Sequence, residues 1–323
     1  MNTIQIDKDC KGLFSAFAVS RIGGRSENQD SYAYRQTRRG FVVTVCDGMG
    51  GGPGGKTASS IAVNEIIVGI EEAPDEETST NVLIKAVRRA NMAICMTGDE
   101  HPELKGMGST ATVLLINEES AYIAHVGDSR VYQLRCGTKV FRTFDHSMVF
   151  ELVSQKVITE EQARLSAQSN VITRALGIRP DVEVDVSEVP FLKGDRFVLC
   201  TDGIHGTMPE KQLLKLLTKR RVPLMSLTDD VATYVDNLGR STGGGHDNLT
   251  MCILEPRINS KLKIKMSKKT RITMASLAVA LLVSLIFNVV QCSNRSIPSE
   301  NKAVDTVQVS ADTLKTDTLT TEK

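Results

Sequence analysis

Five aspartates have positions and neighbours that could serve one cation site. Asp47, Asp202 and Asp247 lie at the edges of apolar strands, Asp30 ends the sequence NQD, and Asp128 lies in the sequence GDSR. A sheet holds a carboxylate rigidly at the end of a strand, and a nearby glycine lets the backbone approach a ligand. Gathered carboxylates repel one another and need cations, and sites built from oxygen alone favour Mg²⁺ or Mn²⁺ over Zn²⁺. A single Asp-Gly pair is usually only a turn, but four or five such positions predict a divalent-cation site.

The elements that must carry these aspartates follow from the spacing of apolar residues. Strands are predicted over 41–46, 196–200 and 248–254, and helices over 57–70, 80–96, 209–218 and 224–238. Four further strands, at 110–116, 121–126, 130–135 and 139–144, are joined by short turns, so we expect an antiparallel meander. Helices that flank antiparallel strands predict an α+β layered fold, not a doubly wound parallel sheet.

Composition limits the class of protein. The chain has 323 residues, a net charge of +1, 24% charged and 41% hydrophobic residues, which is typical of folded soluble domains. A net charge this close to zero argues against nucleic acid as the main partner. The seven cysteines are odd in number and include no Cys-x-x-Cys, so we expect a reducing compartment and neither disulfides nor structural zinc. The polar residues 1–11 lack the apolar stretch of a secretory signal.

The C-terminal part predicts a membrane anchor. Six cations lie within 261–271, and residues 272–290 carry no charge. A helix of that length is about 28 Å long, close to the thickness of a bilayer core. The cations precede the span, so the positive-inside rule places residues 1–271 in the cytoplasm and the Ser/Thr-rich tail, 291–323, outside as a disordered segment.

Eight short motifs contain these aspartates and occur in a fixed order. They are RSENQD at 25–30, VCDGMGG at 45–51, GSTAT at 108–112, VGDSR at 126–130, DH at 145–146, TRALG at 173–177, TDGI at 201–204 and DNLT at 247–250. Together they resemble the metal-dependent protein phosphatases (the PPM family, type 2C), in particular the bacterial type. The resemblance covers residues 13–256. It implies a phosphatase domain at 13–256, which leaves an N-terminal extension at 1–12, and the cations described above make residues 257–271 a basic linker before the span.

The resemblance also implies a fold and a set of metal ligands. The fold would be a four-layer α-β-β-α sandwich with two central, mostly antiparallel sheets and the metals between them. Asp47 would bridge two Mn²⁺ or Mg²⁺ ions, and the Gly48 carbonyl would complete the ligands of one ion. Asp202 and Asp247 would hold the other ion.

Three further positions complete the set that the resemblance implies. Asp30 would act directly or through bound water, and Asp128 with Asp202 would form a weaker third-metal site. Arg25 would bind the phosphate. Residues 147–177 would form the flap, the family's most variable segment.

A mechanism follows from the paired metals. Two cations lower the pKa of a bridging water, and the resulting hydroxide attacks phosphorus in line. The cations and Arg25 neutralise the phosphoryl oxygens, and the arginine can do so with a bidentate fork. The resemblance implies phosphoserine and phosphothreonine in proteins as substrates, with a Ser/Thr kinase as the opposing enzyme. An anchored enzyme would act at the cytoplasmic face of a membrane.

Two departures from the family pattern bear on catalysis. Gln29 occupies a position where many members have glutamate, and a neutral amide is a poorer metal ligand. Met49 stands where eukaryotic members carry a histidine proposed as general acid, although bacterial members commonly have methionine there. His205 and His246 lie near the metal motifs and are candidate proton donors, although a lone histidine is more often structural.

Three alternatives remain open from the residues. GGGPGGKT at 50–57 fits the phosphate-binding P-loop pattern, which requires a parallel βαβ sheet. Cys136 and Arg142 have the spacing of cysteine-dependent phosphatases, whose loop joins a strand to a helix. The domain could also be a catalytically weak or dead phosphoprotein-binding scaffold, for which Gln29 is the only argument.

Overall fold

A computed structural model describes the chain over residues 3–8, 12–50, 54–219, 221–262 and 268–293. The chain divides into two units, residues 1–264 and 265–323. Every strand that the structure describes belongs to the first unit. In chain order these strands are β1 (Ile4–Gln5), β2 (Phe14–Arg21), β3 (Ser31–Thr37), β4 (Gly40–Cys46), β5 (Gly48–Met49), β6 (Gly108–Ser109), β7 (Ala111–Ile116), β8 (Ala121–Val126), β9 (Arg130–Arg135), β10 (Thr138–Arg142), β11 (Asp185–Val189), β12 (Arg196–Cys200) and β13 (Leu249–Pro256).

Eight α-helices lie within the described residues, together with one turn of 3₁₀ helix at Pro102–Leu104. The helices are α1 (Gly54–Glu72), α2 (Ser79–Glu100), α3 (Met148–Ser154), α4 (Glu160–Arg164), α5 (Asp202–His205), α6 (Glu210–Leu217), α7 (Leu224–Ser241) and α8 (Lys268–Ser293). Each helix predicted between 57 and 238 is present, with ends shifted by up to four residues.

The strands form two main sheets. One has six strands in the order β1-β2-β13-β12-β9-β10, the other has five in the order β11-β8-β7-β4-β3, and β5 pairs with β6. Every strand pair that the structure describes is antiparallel. The sheets face each other across a core that includes Phe41, Leu114, Ile123, Phe197 and Leu199.

Helices cover the outer face of each sheet. Helices α1 and α2 bury Ile66, Leu83 and Ile94 against the five-stranded sheet. Helices α6 and α7 bury Leu213 and Leu227 against the six-stranded sheet. Apolar burial on both faces of each sheet is what stacks the layers. The α+β class and the four-layer α-β-β-α arrangement agree with the prediction.

The predicted four-stranded meander is wrong at one connection. Strands β7 and β8 pair, and β9 and β10 pair, but β8 and β9 belong to different sheets. Residues 127–129 carry the chain from one sheet to the other. Gly127 has a φ of +101°, and a Cβ there would lie 2.7 Å from Thr110 Cγ2. A short connection need not join hydrogen-bonded neighbours, because a turn with positive φ can send the chain across the sandwich.

The first unit extends beyond the limits expected for the phosphatase domain. Strand β1, within the predicted extension 1–12, pairs with β2 at the edge of the six-stranded sheet. In the predicted linker, Arg257 N–H donates to Leu13 O at 2.9 Å, and Ser260 N–H to Phe191 O at 2.9 Å. Lys261 N–H reaches Glu118 O, also at 2.9 Å. Residues 257–262 are therefore part of the fold, whereas 263–267 lie outside the described residues.

The predicted span 272–290 lies within α8, which the structure describes as a helix from Lys268 to Ser293. None of the helices within the described residues is both long enough and apolar enough to cross a membrane. The structure therefore does not support the predicted anchor. The side chains of 272–275, 277 and 278 lie outside the described residues, as do residues 294–323 of the predicted tail.

The topology answers two of the alternative interpretations. The P-loop pattern requires parallel strands, but β4, which precedes it, has antiparallel partners on both sides. Its lysine, Lys56, donates to Asp30 O at 2.8 Å, and residues 51–53 lie outside the described residues. Cys136 lies in the turn between β9 and β10, and Arg142 ends β10, so no strand-to-helix loop joins them. Neither motif has the structural context that its chemistry requires.

Leu114 tests whether the core between the sheets supports the fold. Its side chain is fully buried between the sheets, so Leu114→Ala should lower the free energy of unfolding by about 2–5 kcal/mol. Urea unfolding followed by circular dichroism measures this change. Met92→Ala on the exposed face of α2 is the control and should change stability by less than about 0.5 kcal/mol. Equal effects of the two substitutions would contradict this description of the core.

Candidate metal centre

The five aspartates predicted from sequence lie at the ends of strands from both sheets. Asp30 precedes β3, Asp47 separates β4 from β5, Asp128 lies between β8 and β9, Asp202 follows β12 by two residues, and Asp247 precedes β13 by two residues. The charges of the other four all act on the carboxyl group of Asp47. The fold therefore brings the five together at one edge of the sandwich.

Burial and mutual repulsion raise the pKa values of four of these carboxyl groups. Burial is the largest cause in each case. The pKa of Asp30 rises to about 7, with Asp202 and Asp247 adding repulsion, and the pKa of Asp202 rises to about 6. The pKa values of Asp47 and Asp128 rise well above the usual range, and the charge of Asp202 contributes to both. Carboxyl groups held this close together cannot all stay ionised unless cations offset their charge, and otherwise some of them keep their protons.

Two of the carboxyl oxygens have no hydrogen-bond partner. These atoms, Asp30 Oδ1 and Asp202 Oδ1, are buried. An unpartnered buried oxygen is costly, whereas a cation among the carboxylates would both satisfy these oxygens and offset the repulsion. The donor set is oxygen only, which matches Mg²⁺ or Mn²⁺.

Threonine hydroxyls hold the strand ends in place. Asp47 N–H donates to Thr110 Oγ1 at 2.9 Å, and Thr110 N–H returns a bond to Asp47 O at 2.8 Å. Thr110 Oγ1 also lies 2.8 Å from Ser129 Oγ, which ties Asp47 to the turn that carries Asp128. On the other sheet, Thr201 Oγ1 donates to Asp30 Oδ2 at 3.0 Å.

Gly48 lies where two backbones approach closely. A Cβ on Gly48 would stand 1.9 Å from Gly55 O and 2.7 Å from Gln29 O. Only glycine fits in this position. Gln29 N–H donates to Asn248 Oδ1 at 2.8 Å, and a Cβ on Gly55 would lie 2.6 Å from Gln29 Oε1. The side-chain amide of Gln29 is thus packed beside the helix start that follows Asp47.

Arg25 lies at the solvent-exposed side of the group. Its Nη2 donates to Asp247 Oδ2 at 2.9 Å, and about half of its side chain is exposed. Both residues line a cavity of about 310 Å³, which also contains Asp128 and Asp202. The lining also includes residues of the predicted flap, among them Phe150 of α3 and Glu160, Glu161 and Arg164 of α4. The acidic group therefore opens onto a cleft large enough for a side chain of a substrate.

The two candidate proton donors already have structural bonds. His205 Nε2 lies 3.0 Å from the Asp128 carbonyl, which can only accept, so this nitrogen carries the proton. Burial lowers the pKa of His205 well below its usual range. His246 Nε2 lies 2.9 Å from Asp236 Oδ1. Both imidazoles hold loops beside the acidic group.

The sequence prediction missed a buried ion pair at the wall of the cavity. Arg130 donates from Nε and Nη2 to the two oxygens of Asp145, at 2.7 and 2.6 Å. Arg130 also lies over the ring of Phe150, with its guanidinium carbon 4.9 Å from the ring centroid. Each residue stood in a recognised motif, but nothing in the sequence indicated that the two motifs meet.

The raised pKa of Asp30 gives a pH test on metal-free protein. The unfolded carboxyl group loses its proton near pH 3.8, whereas the folded one keeps it until about pH 7. Rising pH therefore lowers the stability of the wild type across this window, and Asp30→Asn removes that contribution. The stability of Asp30→Asn relative to the wild type should increase from pH 5 to pH 8, measured by urea unfolding in EDTA.

Because the measurement compares Asp30→Asn with the wild type, the contributions of other titrating groups to the pH dependence of stability cancel. Buried histidines such as His125 and His205 have lowered pKa values, so they make stability rise with pH. This contribution is the same in the wild type and in Asp30→Asn. Asp181→Asn, at an exposed position, serves as the control and should show no such trend. A stability difference for Asp30→Asn that is independent of pH would contradict the raised pKa.

Known proteins share both the sequence pattern and the fold. The protein-family model described as protein phosphatase 2C matches residues 19–273. The serine/threonine phosphatase stp of Listeria welshimeri is 32% identical over 242 residues, which cover 74% of this chain and 90% of that protein.

Solved structures show the same fold. The serine/threonine phosphatase Stp1 from Staphylococcus aureus matches with a TM-score of 0.68 at 27% identity, over 74% of this chain and 94% of that one. The catalytic domain of the serine/threonine protein phosphatase PstP, in complex with two manganese ions, matches with a TM-score of 0.60 at 30% identity, over 75% and 97% of the two chains. The family match spans well over half of the sequence, and the chain therefore belongs to the protein phosphatase 2C family.

Proposed function

We propose that this chain hydrolyses phosphoserine and phosphothreonine in proteins at a centre that contains two divalent cations. The observation that carries the proposal is the group of five aspartates, four of them with raised pKa values, beside a cleft that also contains Arg25. Ser/Thr specificity rests on the names of the relatives, which are serine/threonine phosphatases.

The aspartates divide between the ions according to the family pattern. Asp47 would bridge the two ions, the Gly48 carbonyl would complete one site, and Asp202 with Asp247 would hold the other. Asp30 would act directly or through water. Its unpartnered Oδ1, like that of Asp202, fits this task. Mn²⁺ or Mg²⁺ suits oxygen ligands, and a related PstP structure contains two manganese ions. Asp128 with Asp202 would form a weaker third site.

Bound cations would supply the positive charge that activates a water molecule as nucleophile and neutralises the phosphoryl oxygens. The protein supplies orientation and the remaining positive charge. Arg25, half-exposed at the cleft, can turn its guanidinium from Asp247 to the phosphoryl group of a substrate. The flap helices α3 and α4 form the wall against which the rest of the substrate lies.

The second candidate is a scaffold of the same fold that binds phosphoproteins without turning them over. Gln29 favours it, because an amide replaces the carboxylate common at this position. The five retained aspartates argue against it, since a scaffold gains nothing from buried groups that repel one another.

We further propose, from the sequence, that the catalytic unit works at the cytoplasmic face of a membrane and is opposed by a Ser/Thr kinase. The support is the uncharged stretch 272–290 and the cations that precede it. Where the structure describes side chains in this stretch, the large apolar ones are exposed, including Leu281 and Phe287. A helix with this surface needs a lipid or protein environment.

Asp202→Asn tests the metal-dependent activity. Phosphate release from a phosphothreonine peptide should require Mn²⁺, cease in EDTA and fall on the order of 100-fold or more in this variant. The same substitution removes a buried charge that repels its neighbours, so the metal-free variant should be at least as stable as the wild type. Loss of activity with gained stability separates a functional role from damage to the fold.

The exposed Asp181→Asn is the matched control and should leave both properties unchanged. Phosphopeptide binding without phosphate release, at any Mn²⁺ concentration, would favour the scaffold instead. Gln29→Glu would then be the variant expected to restore turnover.

Truncation tests the membrane proposal. A chain ending at residue 264 keeps the bonds of residues 257–262 to the sheets, so it should retain full activity on a soluble phosphopeptide. The full chain should sediment with membranes and resist extraction by alkaline carbonate, whereas the truncated chain should stay in the supernatant. Recovery of the full chain in the soluble fraction would contradict the anchor and leave the enzymatic proposal untouched.

A further inference from the structure

A second cluster of possible metal ligands lies beside the turn that carries Asp128. It consists of His125, His146 and Asp185, whose nearest ligand atoms all lie within 4.8 Å of one another. The two imidazole rings are 4.6 Å apart between centroids. Both histidines are buried, and Asp185, on the edge strand β11, is about half exposed. The composition is that of a metal site, but the hydrogen bonds assign it a different task.

The decisive bond joins Gly127 to His146. Gly127 N–H donates to His146 Nδ1 over 3.1 Å. A backbone N–H can only donate, so Nδ1 uses its lone pair for this bond, and the neutral ring carries its proton on Nε2. Nε2 lies 3.2 Å from Asp185 Oδ2, and its N–H donates a hydrogen bond to that carboxylate oxygen. Neither ring nitrogen of His146 is free to bind a cation.

The surroundings keep this arrangement in place. Burial lowers the pKa of His146, which favours the neutral ring. Arg174 Nη1 lies 3.4 Å from His146 Nε2, but it is closer to Asp185 Oδ1, at 3.0 Å. The other terminal nitrogen, Nη2, pairs with Glu183 at 2.8 Å. The guanidinium thus fixes the carboxylate, and the carboxylate fixes which nitrogen of the imidazole is protonated.

His146 binds both polar groups of Gly127. Besides the bond to Nδ1, His146 N–H donates to Gly127 O at 2.8 Å. Gly127 has positive φ and no room for a Cβ, so this turn is packed tightly against Thr110 and requires glycine. On its other side, His205 Nε2 holds the Asp128 carbonyl at 3.0 Å. Two buried imidazoles therefore hold Gly127 and Asp128, two of the three residues that cross between the sheets, and Thr110 binds the third, Ser129.

We propose that His146, fixed by Asp185 as the Nε2–H tautomer, is a positioning residue that orients Asp128 for cation binding. The inference rests on the proposed function, in which Asp128 contributes to the weaker third-metal site. His146 also accepts a bond from Thr173 N–H at its carbonyl, over 2.8 Å. The residue thus joins the end of the flap segment to the Asp128 turn.

Two substitutions at position 146 separate the bond to Gly127 from the bond to Asp185. In His146→Asn the amide oxygen can take the place of Nδ1 and still accept from Gly127. In His146→Gln the longer side chain places its amide near Nε2, toward Asp185, and leaves Gly127 N–H unpaired. Both variants remain polar, and His101→Gln, at an exposed position, is the control. Thermal melting of the full chain confirms that each variant is folded.

The first readout needs no metal. Hydrogen exchange by mass spectrometry on the EDTA-treated full chain follows the peptide that contains residues 127–130. Loss of one buried hydrogen bond should speed its exchange about fivefold in His146→Gln, while His146→Asn stays within about twofold of the wild type. Exchange rates that do not differ between the two variants would overturn the proposal.

The second readout is Mn²⁺ binding, measured by calorimetry on the same proteins. The Mn²⁺ binding step that is lost or weakened in Asp128→Asn is the step that depends on Asp128. That step should weaken by about 10-fold or more in His146→Gln and by less than about threefold in His146→Asn. Equal weakening in both variants, or in neither, would contradict the positioning role. A wild type that binds no Mn²⁺ would refute the proposed metal centre instead, and the exchange experiment would then decide on His146 alone.

Discussion

Repulsion among the five carboxylates is the constraint on which the rest of the structure depends. Each is attached to the end of a strand, and the strands belong to two sheets that pack against each other through a hydrophobic core. The carboxylates cannot move apart without disturbing that core, so burial and repulsion appear as raised pKa values at Asp30, Asp47, Asp128 and Asp202. Three apolar layers of packing stabilise a site that is unfavourable without cations.

The crossing at residues 127–129 determines the shape of the site. A chain that stayed in one sheet would have placed Asp128 on a hairpin tip away from the other sheet. Instead the turn passes between the sheets beside Thr110, whose hydroxyl bonds both the backbone of Asp47 and the side chain of Ser129. The geometry of the site therefore depends on a few neutral side chains, among them Thr110, His146 and His205, as much as on the acids themselves.

The sequence predicted the layered fold and the gathering of the aspartates because both depend on local patterns. Apolar periodicity indicates the helices α1, α2, α6 and α7, and a strand followed by Asp-Gly indicates where Asp47 and Asp202 stand. The sequence could not predict which strands share a sheet, so the break between β8 and β9 was missed. Among strands longer than two residues, β2, β3 and β11 were also absent from the predicted set. Strand β3 is half exposed, and β11 is a polar edge strand, so neither has the continuous apolar run of a buried strand. The Arg130–Asp145 and His146–Gly127 contacts depend on tertiary packing that no spacing rule contains.

The ion pair between Arg25 and Asp247 couples the binding of the cations to the binding of the phosphoryl group in the proposed reaction. While the carboxylate of Asp247 holds the guanidinium, at 2.9 Å, neither is fully available to a new partner. A cation that takes the charge of Asp247 weakens its hold on Arg25 and leaves the arginine available to a phosphoryl group. By the same equilibrium, a phosphoryl group that draws Arg25 away leaves Asp247 as a stronger ligand. Coupling of this kind is reciprocal, so in the proposed centre cation and phosphoester would each favour the binding of the other. The competition for the carboxylate of Asp247 would then lower the affinity of the metal-free protein for phosphate.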